Sequence, residues 1–385
     1  MSKPTIFNDL SQFAPRIDAF CQKLKANAGY RGKGLVGFDG FVDTMIRFES
    51  PASMAEFGPN VTKAAGIATS AEVKRMGQKY GGNGPLLAVA LNNLFRGKIH
   101  LDYMGALGKD AVLPIFEAAF RGKVHHLYSF ADPATSDCLE FTDGKVMLSD
   151  LHNCKTVTWE QMLAVIGLEP LKKIIEQVDF VAAVNWGKVV YAGELWQKLS
   201  DLIKTTKSAQ GKKITFYMDL AEFEPRSAKD KASLAPMFKS IGLGCHTIIS
   251  LNLKEGWQLA DLFGGNFYDQ KDPAQVIACA EYIRLHSGLD EVIIHPNSGA
   301  VMVNAESSSY VVGPYCSDPL ISTGAGDHFG SGALAGHLMG FDTFECMLLG
   351  GCTSGYFVRT GISPSFDQIV ELLQLWKTGQ LKNRI

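Results

Sequence analysis

The sequence predicts a doubly wound α/β fold, a mostly parallel sheet flanked by helices, with a small β-lid attached. Three observations carry this expectation. Short apolar runs alternate with longer stretches of helical spacing, and recurring strand–helix–strand units mean parallel strands joined by crossover helices. Of the 385 residues, 46% are hydrophobic, which allows one large α/β domain or two smaller ones. Two places break the alternation with β-prone runs, and no repeat or low-complexity linker divides the chain.

Taken in order, residues 1–33 read as an N-terminal helical extension. Phe13, Ile17, Phe20 and Leu24 share one helical face between Leu10 and Ala28, fit to pack across the body. The α/β domain then spans 34–385. Its strand-like segments are Gly34–Phe38, Ile99–Met104, Phe180–Val184, Ile214–Met218, Thr247–Ser250 and Val292–Ile294. Helical spacing covers Trp159–Val178, Leu195–Ile203 and Ala274–Leu285. The lid segments are about 41–50, 71–80 and 137–149, where Asp143-Gly144 between two β-prone runs signals a hairpin. An active site that must exclude water needs such a cover; an edge hairpin with no gating role fits the same residues.

Composition narrows the partner. A net charge of -2 and a pI near 6.5 offer no basic field for nucleic acid or an anionic membrane, so a small molecule is expected. Eight cysteines without any C-x-x-C pair indicate neither a zinc site nor a disulfide framework, and read as reduced thiols of a cytoplasmic protein. No apolar run reaches membrane-spanning length, and Asp9, Arg16 and Asp18 interrupt any signal-peptide core.

The chemistry concentrates at Ser322-Thr323-Gly324-Ala325-Gly326-Asp327, which runs into the small-residue segment Gly330–Gly336. Residues without bulky side chains bare their backbone N–H groups where a helix begins, which suits a phosphate. Asp327 in the first turn is placed to accept a hydroxyl proton, although an Asp there is also an ordinary helix start. The helix is expected to stop near Gly340. Asn252-x-x-Glu255 follows a strand and reads either as a capping box or as a pair in which Glu255 holds waters on magnesium. Gly81-Gly82-Asn83 ahead of a helix lets a ligand hydroxyl approach the main chain, or is a tight turn. Asp39 and Asp43 end the first strand, where an ionised carboxylate can accept from several sugar hydroxyls.

Other features carry less. Gly32-Lys33-Gly34-Leu35-Val36-Gly37 satisfies G-x-G-x-x-G but enters a strand instead of following one. His125-His126, with His152 and Cys154, cannot supply two adjacent metal ligands from a strand whose side chains alternate, and read as surface or lid polar groups.

In this order and at these separations, Asp43, Gly81-Gly82, Asn252-x-x-Glu255 and Gly324-Ala325-Gly326-Asp327 resemble the ribokinase-like (PfkB) carbohydrate kinases, over roughly residues 34–376. The resemblance implies an ATP-dependent kinase acting on a hydroxymethyl group of a sugar or sugar derivative. Asp327 would be the general base, and Gly324, Ala325 and Gly326 the anion hole. Asp39, Asp43, Gly81, Gly82 and Asn83 would bind the sugar. Asn252, Glu255, Ser298, Gly299 and Thr323 would bind the nucleotide, with Mg2+ met by Glu255 through water.

Three departures from the family pattern stand out. Leu86 occupies the place of a sugar-loop Asn. Ile321 replaces the carboxylate of a monovalent-cation site, which leaves potassium activation open. His295-Pro296-Asn297 replaces the usual ATP-loop Thr-x-Gly. A nucleoside or vitamin-precursor kinase on the same scaffold, or a binding protein that has lost catalysis, stays open beside the sugar kinase. The family likeness also allows a homodimer formed through the lid.

Overall fold

Alternate residues of the central strands feed two separate cores, one on each face of a sheet. Leu35, Phe216, Met218 and Ile249 enter one apolar cluster, and Val36, Tyr217, Ile248 and Ile293 enter the other. Strands buried on both faces need near-continuous apolar runs, which is why these segments read as unbroken hydrophobic stretches.

The computed structural model describes residues 4–207 and 213–385. Its strands are β1 (Thr5–Phe7), β2 (Lys33–Phe38), β3 (Phe41–Ser50), β4 (Glu72–Gly81), β5 (His100–Gly105), β6 (His126–Ser129) and β7 (Ala134–Glu140). They continue with β8 (Lys145–Asp150), β9 (Phe180–Val184), β10 (Ile214–Asp219), β11 (Cys245–Asn252), β12 (Glu291–His295), β13 (Gly299–Val303) and β14 (Ser308–Val312). The main sheet runs β1-β14-β13-β12-β11-β10-β9-β2-β5-β6. It is parallel from β12 to β6, with the antiparallel hairpin β13–β14 and the parallel β1 at the other edge. A second, four-stranded sheet runs β4-β3-β7-β8, in which β3 and β7 are parallel.

The segment before residue 33 contributes more than a helix. Its helix Ile17–Asn27 packs on Phe366–Lys377, and Phe13 meets Phe344 and Trp376 edge-on. Ahead of it, β1 extends the main sheet beside β14, a three-residue strand with no periodic signal to betray it. The expected single helix over 159–178 is two, Trp159–Ile166 and Leu168–Gln177, because Gly167 adopts φ 79° between them. Between β3 and β4 lies a helix, Met54–Lys63, that hydropathy alone did not reveal. The hairpin residue Asp143 accepts hydrogen bonds from the Met54 (2.6 Å) and Ala55 (3.1 Å) amides, tying the β7–β8 turn to that helix.

Candidate active site

Gly324 caps a helix spanning Ala325–Leu338, with φ 89° that only glycine adopts readily. Asp327 lies in the first turn, and Gly340 stops the chain at φ 72° past the other end. The small residues of this helix serve packing. A Cβ on Gly332 would stand 2.5 Å from Thr353 Oγ1 and 2.8 Å from the Leu349 carbonyl, so the helix can lie directly against Thr343–Thr360. His328 pins the cap, with Nδ1 2.7 Å from the Gly324 carbonyl and Nε2 2.8 Å from Ser363 Oγ. Burial pulls His328 down to about 4, so the ring is neutral and its Nδ1–H donates.

The twin-glycine turn meets this helix. Asn83 Nδ2 donates to Asp327 Oδ1 at 2.9 Å. The same turn is held from beneath by Asp39, whose two oxygens accept from the Asn83 and Gly84 amides, both at 2.8 Å, and from Asn185 Nδ2 at 2.6 Å. Tyr103 donates its hydroxyl to the Asp39 carbonyl. Asp39 is thus engaged by the protein's own donors and caps the helix Asn83–Leu94.

Asp43, on β3, is different. Its Oδ2 lies 2.2 Å from where a Cβ on Gly81 would stand, so the glycine admits the carboxylate. Its Oδ1 is buried and has no hydrogen-bond partner among the described residues. Burial raises Asp43 to about 6, opposed by a bond from Ser136 and by the Lys145 charge.

On the other side of Gly326 lies a cleft of about 440 Å³ whose walls include Asn252, His295, Asn297, Gly299, Ser322 and Ala325. His295 stacks on Phe329 at 4.7 Å. Ser298, expected near the phosphates, is not on the cleft wall; its hydroxyl lies 3.4 Å from that of Tyr310. Asn252 and Glu255 form the capping box: the Asn252 amide and Nδ2 donate to Glu255 at 2.9 and 2.6 Å, and the Glu255 amide returns a bond at 2.9 Å.

Three residues were missed from the sequence. Asp219 ends β10 beside these groups, buried, with Oδ1 accepting from the Ala221 amide at 2.7 Å. A carboxylate at the carboxyl end of a central parallel strand was the available signal. His328, the second, had none beyond its adjacency to Asp327. Lys145, the third, begins β8 in the second sheet and donates to Ser322 Oγ at 3.2 Å and to Thr323 Oγ1. The sheet therefore reaches over the Gly324 turn.

The electrostatics follow from crowding. Burial first, then the charges of Asp219 and Asp39, hold Asp327 well above the usual carboxylate range, against the lowering bond from Asn83. Glu255 and Asp219 are likewise raised by burial, and Asp219 adds repulsion at Glu255. Enclosed carboxylates that raise one another's proton affinity define a place that favours a cation.

Solved structures share this architecture. Ribokinase of Arabidopsis thaliana, complexed with ribose and ATP, superposes with a TM-score of 0.65 at 15% identity, over 90% of this chain and 99% of that one. A nucleoside kinase of Methanocaldococcus jannaschii gives 0.58 at 14%, over 89% and 98%. A curated ketohexokinase of Haloferax volcanii is 25% identical over 360 residues, 88% of this chain and 90% of its own. The ribokinase fold and these relatives define the class, a carbohydrate kinase: a phosphotransferase with an alcohol group as acceptor. The sequence model for prokaryotic ketohexokinase matches residues 16–376. The chain belongs to the prokaryotic ketohexokinase family.

Proposed function

We propose that this chain transfers the γ-phosphoryl group of ATP to a hydroxymethyl group of a ketohexose, with Asp327 taking the hydroxyl proton. The observation that carries the reading is the position of Asp327: oriented by Asn83 at the sugar-side turn, and one residue from the amides that edge the nucleotide-side cleft. A carboxylate there meets the acceptor alcohol from one side while the bared amides of Gly324, Ala325 and Gly326 face the charge that develops on the phosphoryl group. Its raised proton affinity suits a group that must hold a proton in the transition state.

Asp39 acts by positioning the turn that carries Asn83, while Asp43, with its unpartnered Oδ1, receives a sugar hydroxyl. Asp219 and Glu255 fit a hard divalent cation, being buried oxygen donors whose ionisation burial and mutual repulsion oppose. Bound there, Mg2+ would supply neutralisation of the nucleotide phosphates, with Glu255 and Asp219 as the residues to hold it. Catalysis otherwise consists of positioning and fixed charge.

A nucleoside acceptor is the second reading, favoured by Leu86. Its Cδ1 approaches to 3.2 Å of a Cβ position on Gly324, so this wall of the acceptor site is apolar. Phosphate transfer from MgATP across ketohexoses, aldopentoses and nucleosides tests both. The highest kcat/KM is expected on a ketohexose; a preference for nucleosides, or no transfer to any sugar, refutes the primary reading.

Asp43 adds a pH dependence. Since its carboxyl titrates at about 6, the anion that accepts the sugar hydroxyl is present above that pH and lost below it. The sugar KM is therefore expected to rise as pH falls through 6, approaching tenfold per unit once the proton is bound. In Asp43→Asn the KM should be high and nearly flat over the same range. A wild-type KM independent of pH between 5 and 8 would remove Asp43 from the sugar site.

A further inference from the structure

Far from the cleft, three side chains converge at the amino-terminal ends of the interior strands β11 and β12. His246 is the second residue of β11, Glu291 the first of β12, and His337 the last but one of the helix Ala325–Leu338. His246 Nε2 lies 3.0 Å from Glu291 Oε1, and His337 Nδ1 lies 3.3 Å from Glu291 Oε2. The three ligand atoms fall within 4.8 Å of one another. With about ten residues between Asp327 and His337 at 1.5 Å rise, the cluster is about 15 Å from the proposed base.

We propose that His246, Glu291 and His337 form a binding site for a zinc-like divalent cation, at the end of the Asp327 helix remote from the phosphoryl-transfer site. Two imidazoles and one carboxylate are the donor set of such an ion, whereas Mg2+ favours oxygen alone. Bonds of about 2.0–2.1 Å in tetrahedral geometry place ligand atoms about 3.4 Å apart, close to the 3.0 and 3.3 Å observed.

Two independent features support the assignment. Glu291 Oε2, on a side chain only 8% exposed, makes no hydrogen bond among the described residues, although it lies 3.3 Å from His337 Nδ1 and so faces into the cluster. One outward nitrogen has the hydrogen-bond partner that ligating histidines use, His337 Nε2 lying 3.1 Å from Thr215 Oγ1, and the other, His246 Nδ1, has the Asp290 carboxylate as a charge neighbour at 3.9 Å. Asp290 is itself fixed by bonds from the Thr247 amide and hydroxyl at 2.8 and 2.9 Å. Each imidazole thus turns its other nitrogen inward. His246 and His337 are part-exposed, at 35% and 21%, which leaves an entry path and room for water as a fourth ligand.

A second trio, His100, Asp102 and His126, is less suited. There a single oxygen, Asp102 Oδ1, serves both histidines, at 3.3 and 2.8 Å, and Lys33 lines the same hollow. An ammonium beside the ligands opposes a cation.

Titrating the full chain with Zn2+ in excess Mg2+ by calorimetry, and with Co2+ followed through its visible d–d absorption, reads the site without using activity. One equivalent per chain is expected, with a tetrahedral-type Co2+ spectrum lacking the thiolate charge-transfer band that cysteine ligation would add. His246→Gln and His337→Gln should lose that equivalent, and Thr215→Val should weaken it by about 10–100-fold. His126→Gln should leave it unchanged. Circular dichroism and melting of metal-free variants separate a lost site from a lost fold, and if a histidine variant does not fold, Thr215→Val and the wild-type spectrum still decide. Absence of stoichiometric uptake by the wild type, uptake that survives in both histidine variants, or uptake abolished by His126→Gln overturns the proposal.

Discussion

Asp327→Asn is expected to lower turnover by about 10²–10⁴-fold, the usual worth of a positioned general base, while ATP binding and the fold persist. Asparagine keeps the volume and can still hydrogen-bond Asn83 once that amide reorients, so the sugar-side turn keeps its tie to the helix. It cannot take the alcohol's proton. Stability should not fall. The aspartate is buried beside Asp219 and Asp39, which make its ionisation unfavourable, and a neutral amide removes that repulsion. Steady-state kcat, ATP binding by calorimetry and thermal melting together check this. Near-normal turnover in a folded variant would remove Asp327 from the role of base.

Lys145→Ala is expected to have the next largest effect, a fall in kcat of about 10²–10³-fold, the range for deleting one fixed charge-stabilising donor. Lys145 comes from β8 in the second sheet, yet its ammonium donates to the hydroxyls of Ser322 and Thr323, the two residues before Gly324. With nucleotide bound, that cation would lie beside the transferring phosphoryl group, held there by the second sheet. Lys145→Met, which keeps the apolar stem, separates lost charge from lost packing. The loss should appear in kcat and be shared by both variants. Unchanged kcat, or a change confined to the sugar KM, would reduce the second sheet to a wall without a part in phosphoryl transfer.

Much of the architecture was readable because it rests on local patterns. Parallel strands such as β9 and β10 are continuous apolar runs, and the Gly324-Ala325-Gly326-Asp327 helix start is written in four adjacent residues. The turn residue Gly167 and the three-residue strand β1 escaped notice for the converse reason: so few residues carry no period long enough to detect. Within the site, Asn252-x-x-Glu255 was legible as a spacing, and the capping half of its dual reading is present as reciprocal hydrogen bonds. Ser298 and Gly299 were both expected beside the nucleotide; Gly299 is on the cleft wall, while the Ser298 hydroxyl lies by Tyr310, a difference of one residue that spacing cannot resolve.

By itself the sequence determined the sheet's helix-and-strand rhythm, the bared amides before Asp327, and the small residues that let that helix pack closely. These are properties of neighbours in the chain, set by backbone sterics and by side-chain period. Only the tertiary structure decided that Asp39 serves the protein's own amides while Asp43 keeps a free oxygen, that Asp219 joins Glu255 and Asp327, and that Lys145 meets a turn 177 residues away. Proton affinity and hydrogen-bond occupancy depend on desolvation and on charges a few ångströms off, and those distances exist only once the chain has closed on itself.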